Sequence, residues 1–531
     1  MISLLPPILI LIIGFTTKKV ITAIIIGIIC ASLIANYFFF YDTINMIINR
    51  IYNNIQINIF FSTKFWTSYN LFICFFILQT GILIKLIQTS GGTYSYSLFI
   101  NKYIKNKKQA ETSSLLMSSL LCIDDYFSTL TVGSIMQSIV IQKKIAKAKI
   151  SLLIDSMGAP LTILCPFSSW VAAIIGFFKD NGISDEKSIN CLINFNPLLT
   201  YFCTIPFLFY SFIIIISIWF IVRKNISFGL MKKCEDNEKK NIYIKKNANP
   251  KIYYKKSIIN FFLPISILIL SIIINMLHSG GWRILGGETF LISLQNASTA
   301  KALFLGSITT IIISIIFFII NKNINIQQIP KIIIEGINLM KTPLIILILA
   351  WTLGDILRYD LHTGEYIANI ISNKINIFLL PSILFIISLI IAFSIGSSWG
   401  TAAILFPIVI PLTLSMGEIH NYNNTIEQIP IILPSIGALL SGCVAGDHLS
   451  PISDTTIMTS ISTKANHIEH VYTQIFYISP LLFITILSFI ISGYIIKYNI
   501  ILSIIIPLII GILTSLLLLK KLNKQNADDR I

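Results

Sequence analysis

Charged side chains are scarce in this sequence. Asp, Glu, Lys and Arg together supply 12% of the 531 residues, against about a quarter in soluble domains, and that shortage excludes a water-facing surface over most of the chain. The motifs of soluble chemistry are missing as well. There is no GxxxxGK[ST] loop and no GxGxxG, so ATP hydrolysis and dinucleotide binding find no support. The six His residues include no HExxH, which argues against a metalloenzyme. The eight Cys, at 30, 74, 122, 165, 191, 203, 234 and 443, form no CxxC pair and lie mostly within apolar runs; they read as reduced packing residues. The opening MISLLPPILILIIG lacks a basic leader, and TTKK follows where a cleavage site would stand, so a retained helix is expected rather than a signal peptide.

What the chain has is apolar length. It is 55% hydrophobic with a mean hydropathy of +0.82, in recurrent runs of roughly 20 residues, the length that crosses about 30 Å of hydrocarbon as helix. Strand barrels would need shorter segments of alternating polarity. The net charge of +16 sits in short loops between the runs, as cytoplasmic loops require, and not on a surface for nucleic acid. The expected fold is an all-α polytopic membrane protein of about 11 to 13 transmembrane helices, in two repeats with discontinuous helices or re-entrant hairpins. Residues 1–222 form the N-terminal half and 257–519 the C-terminal half. Between them, 223–256 carries eleven Lys or Arg against three acids and reads as a basic cytoplasmic linker; 520–531 reads as a cytoplasmic tail. Residues 416–430, with two Glu and no Lys or Arg, are expected at the periplasmic side.

Two segments, 111–140 and 430–462, are too long and too polar for plain helices. Basic clusters flank the first on both sides, Lys102, Lys105, Lys107 and Lys108 before it and Lys143, Lys144, Lys147 and Lys149 after it. A single crossing would place one cluster outside, whereas a re-entrant hairpin would keep both inside; the sequence leaves both open. An internal repeat is also visible. DYFSTLTVGSIM (Asp125 to Met136) lies without gaps on DHLSPISDTTIM (Asp447 to Met458), and GILIKLIQTSG resembles GDILRYDLHTG, with Lys85 matching Arg358.

Ionisable residues within apolar runs are costly, so each is a functional candidate. They are Asp124, Asp125, Asp155, Asp355, Asp447, His448 and Asp454. Asp355, three residues before Arg358, reads as half of an ion pair. Asp447 and Asp454 share a stretch with Ser450, Ser453, Thr455 and Pro451, and a proline frees helix carbonyls. Carbonyls, hydroxyls and carboxylates together make an oxygen cage suited to a hard cation such as Na+. A carboxylate removed from water holds protons more tightly than one in solution, which brings H+ and Na+ into competition for the same oxygens. Asp124, Ser128 and Asp155, together with Ser397, Ser398 and Thr401 of GSSWGTAAILFPIVIP, are candidates to line the pathway, and PFSSW (Pro166 to Trp170) looks like the first-half relative of that element. No chain of buried His is legible. His467 and His470 fall with Glu469 in an expected loop, a place for pH sensing.

GDHLSPISDTTIMTS (446–460) is similar to the signature of the NhaC-type Na+/H+ antiporter family, within the ion transporter superfamily, and IGSSWGTAAILFPI (395–408) resembles a second family block. DDYFSTLTVGSIM and WTLGDILRYDLHTGEYIA look like further blocks. The resemblance implies an inverted-repeat secondary transporter of a bacterial inner membrane, exchanging Na+ for H+ without a cofactor, with Asp125, Asp447, Ser450, Ser453, Asp454 and Thr455 at the ion site. Its expected partners are Na+, H+ and the lipid bilayer, and a homodimer fits the class. The family also includes exchangers of malate, lactate or amino acids, so Na+- or H+-coupled movement of a small organic anion or amino acid is the alternative. A hydrolase built on Ser450, His448 and Asp454 is disfavoured, since residues two apart on a helix do not face each other.

Overall fold

Apolar runs can satisfy their backbone in lipid only as helices or closed barrels, and the computed structural model of the protein is helical almost throughout. It describes residues 5–17, 19–55, 68–166, 168–184, 193–240, 257–283, 287–289, 293, 297–363, 366, 376–419, 431–451 and 453–528. The first half runs through α1 (Leu5–Thr17), α2 (Val20–Ala35), α3 (Phe40–Ile55), α4 (Tyr69–Thr89), α5 (Gly92–Asn101), α6 (Lys107–Leu120), α7 (Asp125–Gln142), α8 (Lys147–Leu164), α9 (Ser169–Asp180), α10 (Pro197–Thr204) and α11 (Phe209–Lys224). After α12 (Gly229–Lys240), the second half holds α13 (Ile259–Ser279), α14 (Thr299–Ile320), α15 (Ile329–Asp355), α16 (Leu380–Ile395), α17 (Ser398–Ile419), α18 (Ile432–Leu449), α19 (Asp454–Thr463), α20 (His467–Ile495) and α21 (Ile500–Asp528). One departure from pure helix is a two-residue parallel pairing of Ile183–Ser184 with Ile193–Asn194. Among the described residues eight helices are long and apolar enough to cross a membrane, or up to eleven if each bent pair is one span, which meets the low end of the expected number. Most of the 416–430 loop, and 241–256 of the linker, lie outside the described residues.

The segment 111–140 is a hairpin. Its arms α6 and α7 are antiparallel: Ser113 Oγ meets Met136 Sδ at 4.0 Å, and Lys143 Nζ donates to the Lys105 carbonyl at 3.1 Å. Both basic clusters therefore lie at one end of the bundle, and the positive-inside pattern is kept without an exception. α7 turns into α8, which runs to Leu164, breaks at 165–168 and resumes as α9. The second half also holds a hairpin followed by a broken helix. α16 and α17 form a hairpin around Gly396, whose left-handed φ of 71° ends α16, a conformation glycine adopts without a Cβ penalty. α18 then breaks at 450–453 and resumes as α19.

Two helix packings set the relative directions of these elements. Gly442 and Gly446 bring α18 against the Phe385 and Leu389 carbonyls of α16, so these helices run in the same direction at small-residue closeness. α19 runs opposite to α8, with Ser151 on Thr463 at 2.7 Å and Thr456 on Asp155 at 2.9 Å. The second hairpin thus opens at the end remote from Lys105 and Lys143. α8 and α18 each have 18 residues before their breaks.

This plan corrects the register read from the sequence. Asp125 opens α7 just past a hairpin tip, whereas Asp447 lies near the end of α18, before a break, so the letters shared by 125–136 and 447–458 do not mark equivalent places. The two breaks resemble one another: Cys165 and Ser450 each end a helix before a proline, and Ser168 and Ser453 each cap the next one. PFSSW is accordingly the relative of SPISDT and not of the 396–411 segment. In a chain rich in Ile, Ser and Thr, a chance match outscored the short Pro-x-Ser signal.

Around these elements α4 packs against α14 and α15, and α13 lies on α14. Asp355 is ion-paired. Arg50 of α3 reaches it at 3.8 Å and also reaches Asp360 at 3.1 Å, while Asn54 donates to Asp355 at 3.0 Å; the side chain of Arg358 lies outside the described residues.

The base of the first hairpin is fastened by buried charge. Lys149, 1% exposed, lies 2.7 Å from Glu235 of α12 and 3.5 Å from Glu111 of α6, and Lys107 touches the same two carboxylates at 3.2 and 3.7 Å. Burial pushes the Glu235 carboxyl up, and the two ammonium groups outweigh that and hold it below the ordinary range. Removing one partner of such a group leaves unpaired buried charge, at a cost of about 3–5 kcal/mol. Lys149→Met is therefore expected to lower the thermal unfolding midpoint of the detergent-solubilised protein clearly, with α12 becoming accessible to protease. An unchanged midpoint would mean that the four charges are solvated and idle.

Candidate functional site

Each helix interruption has a local cause. A residue preceding proline is driven out of the helical region, so Cys165 and Ser450 are extended, at φ −84°, ψ 116° and φ −77°, ψ 125°, and end α8 and α18. Two residues beyond each proline a serine restarts the helix: Ser168 Oγ accepts from the Val171 amide and Ser453 Oγ from the Thr456 amide, both at 3.3 Å. The hairpin tips use the same device. Asp124 Oδ1 accepts from the Phe127 amide at 2.9 Å, and Ser397 Oγ from the Gly400 amide at 3.2 Å. Four helix N-termini, those of α7, α9, α17 and α19, are thereby capped by short polar side chains.

Where the tips meet the breaks there is a narrow, tightly filled cleft lined by Asp125, Tyr126, Ser398, Trp399, Asp447, Asp454 and Thr455. The residues come from both halves and interlock. Tyr126 donates its hydroxyl to Asp454 Oδ2 at 2.9 Å, Thr455 donates to Asp447 Oδ2 at 2.7 Å, and Trp170 Nε1 donates to Asp125 Oδ2 at 3.1 Å. Trp170 also packs on Trp399 with ring centroids 5.0 Å apart. No Lys or Arg is among the lining residues. Among the described residues no three His, Cys, Asp or Glu side chains converge closely enough to hold a metal ion by themselves, so a cation here would need hydroxyl or carbonyl oxygens to complete its shell.

Of the residues singled out by sequence, Asp125, Asp447, Asp454, Thr455 and Ser398 reach this cleft. The others do not line it. Asp124 is a helix cap whose second oxygen accepts from Ser169 at 2.8 Å. Ser397 and Ser453 are caps, and Ser453 touches Thr455 at 3.1 Å. Ser450 is buried at the turn that closes α18, Thr401 returns its hydroxyl to the Ser397 carbonyl, and Ser128 is buried on α7. Asp155 belongs to a separate polar cluster with Thr456, Thr459, Gln474 and His470. Tyr126 and Trp399 escaped the sequence reading because an aromatic within an apolar run looks like packing. Their neighbours Asp125 and Ser398, directly beside a cap, were the available signal.

The signature of the Na+/H+ antiporter family matches residues 161–494. An uncharacterized protein of Haemophilus influenzae is 28% identical over 499 residues, 93% of this chain and 91% of its own. The malate-2H+/Na+-lactate antiporter of Bacillus subtilis is 32% identical over 121 residues, 22% of this chain and 23% of its own. In fold, the chain is similar to the crystal structure of the YdaH transporter of Alcanivorax borkumensis, at a TM-score of 0.52 and 11% identity, covering 82% of this chain and 88% of that one. The chain is a multi-pass membrane transporter and belongs to the Na+/H+ antiporter family.

Proposed function

We propose that the protein exchanges Na+ for H+ across a bacterial inner membrane, with Asp125, Asp447 and Asp454 as the carboxylates that take up either ion. The observation that carries this reading is the cleft itself: three carboxylates from both halves of the chain and, among the described residues, no basic residue in its lining. Asp125 and Asp454 stand first in their helices, where the N-terminal dipole favours negative charge. Thr455 supplies a hydroxyl beside Asp447. Ser450 and Ser453 then act in shaping the break and not in holding the ion.

One set of features favours coupled transport of an organic anion. The N-termini of α9 and α17 are capped by serine and not by a carboxylate, and Trp399 Nε1 is buried with no hydrogen-bond partner among the described residues; helix N-termini and indole N–H groups attract carboxylates. The Bacillus subtilis relative is named for malate and lactate. In that case the cation would sit on Asp447 and Asp454, and the anion at Ser397 and Ser398.

Proteoliposomes with an internal pH dye separate the two. Na+ alone is expected to drive proton movement, with malate, lactate and amino acids adding nothing; a response that needs an organic anion would favour the second reading. Asp454→Asn should insert normally and lose exchange, because the amide keeps the shape and removes the titrating charge. Near wild-type exchange in that variant would reduce Asp454 to a structural role. Because both ions use the same oxygens, apparent Na+ affinity should weaken about tenfold per pH unit once the carboxylates begin to protonate. Affinity flat from about pH 6 to 9 would contradict a shared site.

A further inference from the structure

His467 and His470, expected in a loop, lie in the first turn of α20, and His470 is buried. They face one hydroxyl. Ser460 Oγ of α19 is 3.0 Å from His467 Nδ1 and 3.0 Å from His470 Nδ1. From this arrangement we infer that His467, Ser460 and His470 form a binding site for a single proton, separate from the carboxylate cleft, and that its occupancy controls the rate at which the cleft turns over.

The hydrogen-bond inventory leads to this count. His467 Nε2 faces the Pro451 carbonyl at 2.6 Å, a pure acceptor, so that nitrogen carries a hydrogen. Gln474 Nε2 lies between two more acceptors, Asp155 Oδ2 at 2.6 Å and the His448 carbonyl at 2.8 Å, which orients the amide and turns Gln474 Oε1 to His470 Nε2 at 2.8 Å. His470 Nε2 therefore carries a hydrogen too. Both Nδ1 atoms are then the positions that gain or lose a proton, and both depend on Ser460. With neutral rings, the single hydroxyl hydrogen of Ser460 faces three acceptors, the two Nδ1 atoms and the Thr456 carbonyl at 2.9 Å, and lone pairs confront one another. One added proton resolves this: one ring donates N–H to Ser460 Oγ, while the hydroxyl donates to the other ring. A second proton would set two imidazoliums on one hydroxyl, where like charges repel.

The proton can pass inward without a vacancy. His467 is partly exposed, at the end of the bundle where Ser151 meets Thr463 and the basic clusters lie. Its Nδ1–H gives a proton to Ser460 Oγ as the Ser460 hydroxyl hydrogen moves to His470 Nδ1, leaving His467 neutral and His470 charged. His470 Nε2 is 3.9 Å from Asp155, which balances that charge. The other titratable groups facing the triad are His448 of α18, bonded to Tyr210 at 2.9 Å, and, beside His467 on the surface, Glu469 with Cys234 of α12. The Glu111, Lys149 and Glu235 cluster is already paired within itself.

Occupancy is read by the cleft through Asp155. That carboxylate holds Thr456 and Thr459 of α19, at 2.9 and 3.3 Å, and the first turn of α19 carries Asp454 and Thr455 of the cleft. Gln474 holds the His448 carbonyl on the other side of the same break. A proton on the triad satisfies every member and fastens α19 to α20; its loss leaves Asp155 without the positive charge it faces and frees α19.

This regulation rests on the exchange reading, and two measurements keep them apart. In proteoliposomes at saturating Na+, the wild-type maximal rate is expected to fall as a one-proton curve when pH drops on the His467 side below about 6.5. Ser460→Ala and His470→Gln should flatten that curve, while the pH dependence of apparent Na+ affinity, set in the cleft, stays as in wild type and shows that both variants are folded. Independently of transport, titration of the purified protein should show wild type taking up one more proton than His470→Gln over the same range. If Na+ drives no proton movement in wild type, the exchange reading fails and the titration still decides the triad. Wild-type rate profiles in both variants, or equal proton uptake, would overturn the proposal.

Discussion

A helix interrupted inside a membrane exposes backbone groups that neither water nor lipid can satisfy. Each interruption leaves several N–H groups without an intrahelical partner, and in hydrocarbon each unmet group costs several kcal/mol. The architecture follows from how this chain meets that demand. Asp124, Ser168, Ser397 and Ser453 cap the four helices that restart in its interior, and all four interruptions are drawn to one place. There Ser169 of one break donates to Asp124 of a tip, and Ser398 of the other tip donates to the Cys443 carbonyl of α18 at 3.1 Å. Each half completes its own polar shell, and Tyr126 on Asp454 joins the halves.

This explains why the cleft carboxylates stand where they do. Asp125 and Asp454 are each the residue immediately after a cap, so the geometry that restarts the helix also aims a carboxylate at the cleft. Asp447 arrives differently, from the last turn of α18, and is held by Thr455 across the break. The two sides of that break are tied by short polar bonds and not by a continuous helix, which lets α19 shift while α18 stays packed against α16. Asp155 and Gln474, one contact further out, grip both sides of it.

Much of this was legible in the residues. Apolar runs announced the helices, the flanking lysines of 111–140 called for either a crossing or a hairpin, and five of the twelve polar residues singled out line the cleft. The misreadings have physical origins. The repeat was aligned on letters, because Asp, Ser and Ile recur in any polar break of an Ile-rich chain, while the equivalence lies in the capping role, which different residues can fill: Asp124 in one hairpin, Ser397 in the other. The His pair was placed in a loop because HIEH is polar, yet Asn466 caps α20 one residue earlier, accepting from the Glu469 amide at 3.1 Å. Gln474, an amide within the apolar run that follows, was the overlooked sign that a polar partner lay opposite.

One cleft is built by both halves. Single cysteines at Ser398 and Thr455, in a background without other cysteines, test this most directly by reaction with a permeant thiol reagent. Both positions are expected to react, and Na+ is expected to protect both with the same concentration dependence. Protection at Thr455 alone, with Ser398 reacting freely at every Na+ concentration, would contradict a site shared by the two halves.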